Sequence, residues 1–252
     1  MKSKFILITG SNGDLGKSIS LKFLENGYKV IGIDISSENE LKDKNFNYIR
    51  GDLHQLVNSD VYRHELISKI KNEIPETISK FTIINNAATQ ITKKIIDFES
   101  DLIAETFNIN TIAPFILVKK MFQELLSCKG NIINISSIHS IQTKKGFSAY
   151  AASKSALDSL TRSMAIELSP HGIQVNGISP AALDTNMLRN GFINNKEGLL
   201  ELSTYHPSRT IGSTAEVSNL IYYLCSSRNL FLTGSTINID GGIRGLLNDP
   251  DA

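Results

Sequence analysis

Tyr150 and Lys154 stand four residues apart in Tyr150-Ala151-Ala152-Ser153-Lys154, and the pair Ser136-Ser137 lies upstream of them, directly after the apolar run Asn131–Ile135. On a helix, positions i and i+4 share a face, so the phenol and the ammonium can project into one cleft. A free tyrosine titrates near pH 10, and an adjacent ammonium stabilises its phenolate, each unit of displacement being worth about 1.4 kcal/mol. A phenol lowered in this way exchanges a proton with an alcohol or a carbonyl near neutral pH.

A second group of residues has the pattern of a phosphate cradle. Thr9-Gly10-Ser11-Asn12-Gly13-Asp14-Leu15-Gly16 closes one apolar run and opens a helical pattern. Glycines at such a turn let the backbone approach a pyrophosphate, and the helix N-terminus favours its negative charge. Asp34 closes the next apolar run 18 residues beyond Gly16, close to the offset at which an acid meets an adenine ribose. A carboxylate there accepts both ribose hydroxyls and repels a 2′-phosphate, while Ile35-Ser36-Ser37 brings no cation to offset it. The expected cofactor is NAD(H), preferred over NADP(H).

These residues need elements to hold them. Short apolar runs at Phe5–Ile8, Val30–Ile33, Tyr48–Ile49, Phe81–Ile84, Asn131–Ile135, Ile173–Ile178 and Thr236–Ile239 read as buried strands. Segments of helical periodicity lie between them, for example Leu15, Ile19, Phe23 and then Ala156, Leu157, Leu160, Met164. Strands alternating with helices predict an α/β fold, a Rossmann-type doubly wound parallel sheet of about seven strands with helices on both faces. With no linker or repeat, residues 1–252 are expected to form one domain. Residues 184–209 mix apolar, glycine and asparagine positions and predict a substrate lid; 241–252 follow the last strand as a tail.

Taken together, the motifs identify the chain as resembling the short-chain dehydrogenase/reductase family in its compact form, over nearly the whole length. Thr9 to Gly16, with Gly10, Asn12, Gly13, Leu15 and Gly16, resembles the family's glycine-rich loop. Asp52-Leu53 resembles the pair beside the adenine, and Asn85-Asn86-Ala87-Ala88 the NNAG strand end. Asn110 matches the helix asparagine, Ser137 the active-site serine thirteen residues before the tyrosine, and Tyr150-x-x-x-Lys154 the signature. Ser179-Pro180-Ala181, with Leu183 and Thr185, resembles the segment that contacts nicotinamide, and Asp240-Gly241-Gly242 the end of the last strand. Two positions depart from the pattern: Asp14 takes the place of a loop glycine, and Ala181 that of another. An acid near a helix N-terminus is electrostatically tolerable, and Asp14 can face outward.

The resemblance implies hydride transfer between a nicotinamide and a secondary alcohol or ketone. Tyr150 is then the proton acceptor or donor, Lys154 tunes it and binds the nicotinamide ribose, Ser137 bonds the substrate oxygen, and Asn110 holds a water. It also implies a homotetramer, in which apolar positions of Asn108–Ser127 and Ala149–Leu168 in excess of one buried face would be covered and the tail would reach a neighbouring subunit. Two other readings fit parts of the pattern. A nucleotide-sugar epimerase or dehydratase shares Tyr-x-x-x-Lys and a G-x-x-G-x-x-G loop, but only 98 residues (252 minus 154) follow Lys154, too few for its larger substrate domain. A non-catalytic dinucleotide sensor would not need all four of Asn110, Ser137, Tyr150 and Lys154.

Composition narrows the partners. The formal charge is +1, so no global field attracts a polyanion and nucleic acid is not an expected partner. Cys128 and Cys225 lie in no metal-ligand or disulfide pattern, and the five histidines form no cluster, so no metal is expected. The N-terminal apolar run Phe5–Ile8 is too short for a signal peptide and no run approaches a membrane span, which predicts a cytoplasmic protein away from the membrane. His139 and Gln142 follow Ser137 and fit either the wall of the substrate cleft or an exposed loop, Lys144 and Lys145 read as a solvated loop, and Pro114 as a kink in a helix over Asn110–Phe122.

Overall fold

The computed structural model describes residues 3–226 and 230–247. The last five residues of the expected tail lie outside this range. Seven strands are present: β1 Ser3–Thr9, β2 Lys29–Asp34, β3 Phe46–Arg50, β4 Ile78–Asn85, β5 Asn131–Ile135, β6 Gln174–Pro180 and β7 Thr236–Ile239. The helices are α1 Asp14–Glu25, α2 Leu53–Asn58, α3 Asp60–Asn72, α4 Ser100–Phe107, α5 Ala113–Lys120, α6 Phe122–Cys128, α7 Ser148–Leu168, α8 Asn186–Gly191, α9 Lys196–Glu201 and α10 Thr214–Ser226.

All seven strands are parallel, in the order β3-β2-β1-β4-β5-β6-β7. The apolar runs are continuous because both faces of the sheet are covered. Side chains alternate along β1: Phe5 and Leu7 join a core with Leu66, Leu117, Leu125 and Met164 from α3, α5, α6 and α7, whereas Ile6 and Ile8 join one with Ile19, Phe23, Val217 and Ile221 from α1 and α10. The expected doubly wound sheet is therefore the observed one. Its strand order reverses between β1 and β4, so the connections from their carboxyl ends diverge and leave a crevice there, the place where such folds bind ligands.

The helical run is continuous from Ser100 to Lys120, and Pro114, which has no N–H to give the preceding turn, stands two residues past its irregular stretch, in keeping with the expected kink. The irregularity precedes it, as a π-turn over Asn108–Ile112, and Met121 separates α5 from α6. The continuous run Ser100–Lys120 is long and apolar enough to match a bilayer, but Thr106, Asn110, Ala113, Leu117 and Val118 within it are buried in this fold.

The turn from β1 into α1 depends on one close approach. A methyl group on Gly16 would lie 2.0 Å from the carbonyl oxygen of Gly10 and 2.9 Å from the Cα of Ser11, both backbone atoms that cannot swing away. Gly16→Ala is accordingly expected to destabilise the protein by about 2 kcal/mol or more, in the upper range of overpacking substitutions. Urea unfolding of the two proteins checks this; coincident midpoints would show that the turn has slack.

Candidate active site

The crevice at the carboxyl ends of β1 and β4 is fastened by side chains close to the glycine-rich loop. Asn86 donates through Nδ2 to the carbonyls of Thr9 and Gly10, both at 3.0 Å, while the Thr9 hydroxyl accepts the backbone N–H groups of Asn86 and Ala87. Gly13 is the N-cap of α1 and offers no side chain to the first-turn N–H groups. The loop thus has the features a pyrophosphate needs: close backbone packing and a helix start with uncapped donors.

Asp34, at the end of β2, faces this loop. One carboxylate oxygen accepts the Asn12 N–H at 3.0 Å and the other the Ser36 N–H at 3.2 Å, which fixes the carboxylate at the edge of the cradle. The following segment folds back over the loop: Asn12 donates to the carbonyl of Glu38, and Lys17 pairs with Glu40 at 2.5 Å. The chain order places no cation here, but the sheet supplies one. Arg50 is the register partner of Asp34 across β2 and β3, and its Nε donates to the carbonyl of Ile35. Ile35, Arg50 and Asp52 line a shared cavity of about 390 Å³ with Tyr62 and Lys69. Asp52 also caps α2, accepting the N–H groups of His54 and Gln55. Leu53, the first residue of α2, buries its side chain in the core beneath.

Asp14, which the sequence allows to face outward, turns its carboxylate to the start of α8. Its carboxylate accepts the backbone N–H of Asn186 at 2.5 Å and its Nδ2 at 3.0 Å, tying the start of α1 to the start of α8. Thr185 caps α8 by accepting the Leu188 N–H, and Leu183 forms a bridge with Gly212. Residues 184–209 are largely helical, made of α8, α9 and a short 3-10 turn at Leu202–Tyr205. Pro180 closes β6 in the interior, and Ala181 continues its hydrogen bonding to Ile239.

At the other end of the crevice, α7 brings Tyr150 and Lys154 to the end of β5. The Tyr150 hydroxyl lies beside the Ser137 side chain, which favours its phenolate. Lys154 is 2% exposed; its ammonium donates to the Ile135 carbonyl at 2.7 Å and lies 5.7 Å from the centre of the Tyr150 ring. Asn110 is held inside the π-turn: Oδ1 accepts the Thr89 N–H, and Nδ2 donates to the Thr89 carbonyl and the Ser153 hydroxyl. Tyr150 and Lys154 share one face of α7 at the end of β5, as helical spacing predicts for this pair, while Asn110 reaches the same helix only at Ser153.

The electrostatics differ from the sequence expectation. Burial pushes the Tyr150 phenol above its usual value, against a smaller lowering by the Ser137 side chain. Burial also lowers Lys154 to about 8, with the Asp158 carboxylate acting to raise it. The expected lowering of the tyrosine is thus outweighed by desolvation in this state. Of the two readings the sequence allows for His139, the structure has it beside the tyrosine: it stacks on Phe147 at 4.5 Å and meets Tyr150 edge-on at 5.9 Å. Burial, then the charge of Lys144, lowers His139 to about 4, so it is a neutral imidazole at the cleft wall. Lys144 itself is exposed, yet its ammonium lies over Phe147 and over Phe192 at the end of α8. No period or motif marks His139 or Lys144, because both reach the site through the loop fold. Gln142 stays exposed.

A family model described as enoyl-(acyl carrier protein) reductase matches residues 11–244. The chain belongs to the short-chain dehydrogenase/reductase family. It is 28% identical over 251 residues to 3-oxoacyl-(acyl-carrier-protein) reductase FabG of Buchnera aphidicola subsp. Schizaphis graminum, covering 96% of this chain and 98% of that one. Among solved structures, 4-hydroxyisoleucine dehydrogenase complexed with NADH superposes with a TM-score of 0.86 at 29% identity, covering 97% of this chain and 100% of that one. ElxO with NADP bound superposes at 0.85 and 26% identity, covering 98% and 100%. The chain is an oxidoreductase of this family with a nicotinamide cofactor.

Proposed function

We propose that this protein interconverts a small secondary alcohol and its ketone using NAD(H) in preference to NADP(H). The observation that carries the reaction type is the joining of Ser137, Tyr150 and Lys154 at the end of β5, with Asn110 behind them. Nicotinamide bound across the strand ends supplies or accepts the hydride. Ser137 orients the substrate oxygen, and its neutral hydroxyl donates to a developing alkoxide without a competing charge. Tyr150 gives that oxygen a proton in reduction and takes it in oxidation. Lys154 favours the phenolate and holds the nicotinamide ribose, and Asn110 keeps a water in line with it.

Asp34 supports the cofactor choice. Two backbone N–H groups hold its carboxylate at the loop, leaving other lone pairs for ribose hydroxyls. Arg50 is the opposing influence, but its Nε is committed to the Ile35 carbonyl, and Glu38 and Glu40 add negative charge along the following loop. Exposed apolar side chains at Ile103, Ile112, Phe115 and Ile166 on the helical segments around the site support a homotetramer. The formal charge of +1, which gives no global field for a polyanion, supports an enzyme without a nucleic-acid partner.

Tyr150→Phe is expected to abolish turnover while leaving NADH affinity within about twofold, because only the transferable proton is removed. Lys154→Met is expected to damage both. An NAD-linked screen of sugars, polyols, hydroxy acids and acyl thioesters supplies the substrate, and more than a few per cent residual activity in the Phe variant would mean that another group carries the proton. Titration with both cofactors is expected to favour NAD by at least about a hundredfold, near 2.7 kcal/mol. Asp34→Ala is expected to erase most of that preference by weakening NAD, since hydrogen bonds to a charged acceptor contribute about 1.5–3 kcal/mol. Equal or tighter NADP binding by the unaltered protein would refute this assignment. Light scattering at micromolar concentration is expected to give four times 27.8 kDa, and a monomer mass would reject the tetramer.

A further inference from the structure

Asp158 is a buried carboxylate that neither the nucleotide crevice nor the proton-exchanging pair uses. It lies one helical turn beyond Lys154 on the same face of α7, and the two residues are 7% and 2% exposed. Oδ1 accepts the Thr236 hydroxyl at 3.2 Å. Thr236 opens β7 opposite Gly177 of β6, and a methyl group on Gly177 would lie 2.7 Å from that hydroxyl. The bare backbone of Gly177 therefore leaves the room in which Thr236 anchors Asp158. Lys154 itself donates to the Ile135 carbonyl and makes no direct ion pair among the described residues.

Resting on the reading of Lys154 given above, we infer that Asp158 is a positioning residue for the reaction: its anchored carboxylate keeps the buried Lys154 ammonium protonated in the working pH range. Burial alone drives an ammonium toward its neutral form, and a carboxylate about one turn away opposes this through a medium of low dielectric response. In this structure Lys154 stands at about 8 with Asp158 raising it, so removing the carboxylate leaves only the lowering influence. The other groups that face Lys154 do not replace it. Ile135, Ser136 and Ser137 at the end of β5, Asn110 in the π-turn and Thr236 on β7 are uncharged. Tyr150 is held in its phenol form by burial, and His139, beyond Tyr150, is neutral above about 4.

The sign of the effect is fixed. Lys154 is charged below its own pKa and neutral above it, so a lower value brings the loss of charge to a lower pH. The test is a titration of lysine side-chain NMR signals in the full-length protein, with Lys154 assigned by the signal lost in Lys154→Met, alongside NADH affinity measured by fluorescence over the same pH range. The unaltered protein is expected to titrate at about 8. Asp158→Asn is expected to move that midpoint down by about one unit and to move the alkaline fall in NADH affinity with it. Asp158→Glu is expected to stay near the unaltered value, which a purely packing role would not require. If the Asn variant does not fold, Asp158→Leu, which needs no polar partner, carries the same expectation. An unmoved midpoint in the neutral variant overturns the inference. A moved midpoint with an unmoved binding profile overturns the role of Asp158 in the site, and a protein whose Lys154 shifts as expected but that binds NADH at no pH places the failure in the cofactor reading instead.

Discussion

The site is organised around an ammonium group taken out of water. Lys154 is almost fully buried, and a buried charge persists only where the protein replaces the lost solvation. The Ile135 carbonyl does so by direct contact, and that contact sets the register of α7 against the sheet. With Lys154 tied to the last residue of β5, Tyr150 one turn earlier comes level with Ser137, two residues past the strand end. Sliding α7 by one turn would strand the ammonium and separate the phenol from the serine together. The close packing of Met164 and Ala165 farther along the same helix against the sheet core resists such a slide.

The same helix shows what is legible in the sequence. A parallel strand covered on both faces is written as a nearly uninterrupted apolar run, which is why β1, β2 and β4 can be read from the order of residues alone, whereas the edge strands β3 and β7 leave only short apolar traces. The pair Tyr150 and Lys154 is equally legible because helical spacing by itself brings it together. The electrostatic balance is not, because desolvation depends on how deeply α7 is buried and spacing carries no measure of depth. The tyrosine expected to be lowered is raised for that reason. Arg50 escapes a linear reading because its approach to Asp34 is set by the pairing of β2 with β3. His139 reaches Tyr150 only through the turn after Ser137, where its own N–H bonds the Ser137 hydroxyl. The π-turn at Asn108–Ile112 leaves no mark that an apolar period could show, yet it is the feature that aims Asn110 inward to Thr89 and Ser153.

The departure at Asp14 illustrates how a residue unfavourable by local rule becomes acceptable through tertiary contact. A carboxylate in the first turn of α1 is favoured by the helix dipole but adds negative charge beside a cradle suited to phosphate. Asn186, 172 positions away in sequence, takes up both oxygens of that carboxylate with its N–H and its side-chain amide. Asp14 therefore stands at the first turn of two helices, α1 and α8, and satisfies a first-turn N–H of the second that Thr185 does not reach. Both its oxygens are taken up by Asn186 at the start of α8. The side chain that breaks the loop pattern thus joins the start of α1 to the start of α8.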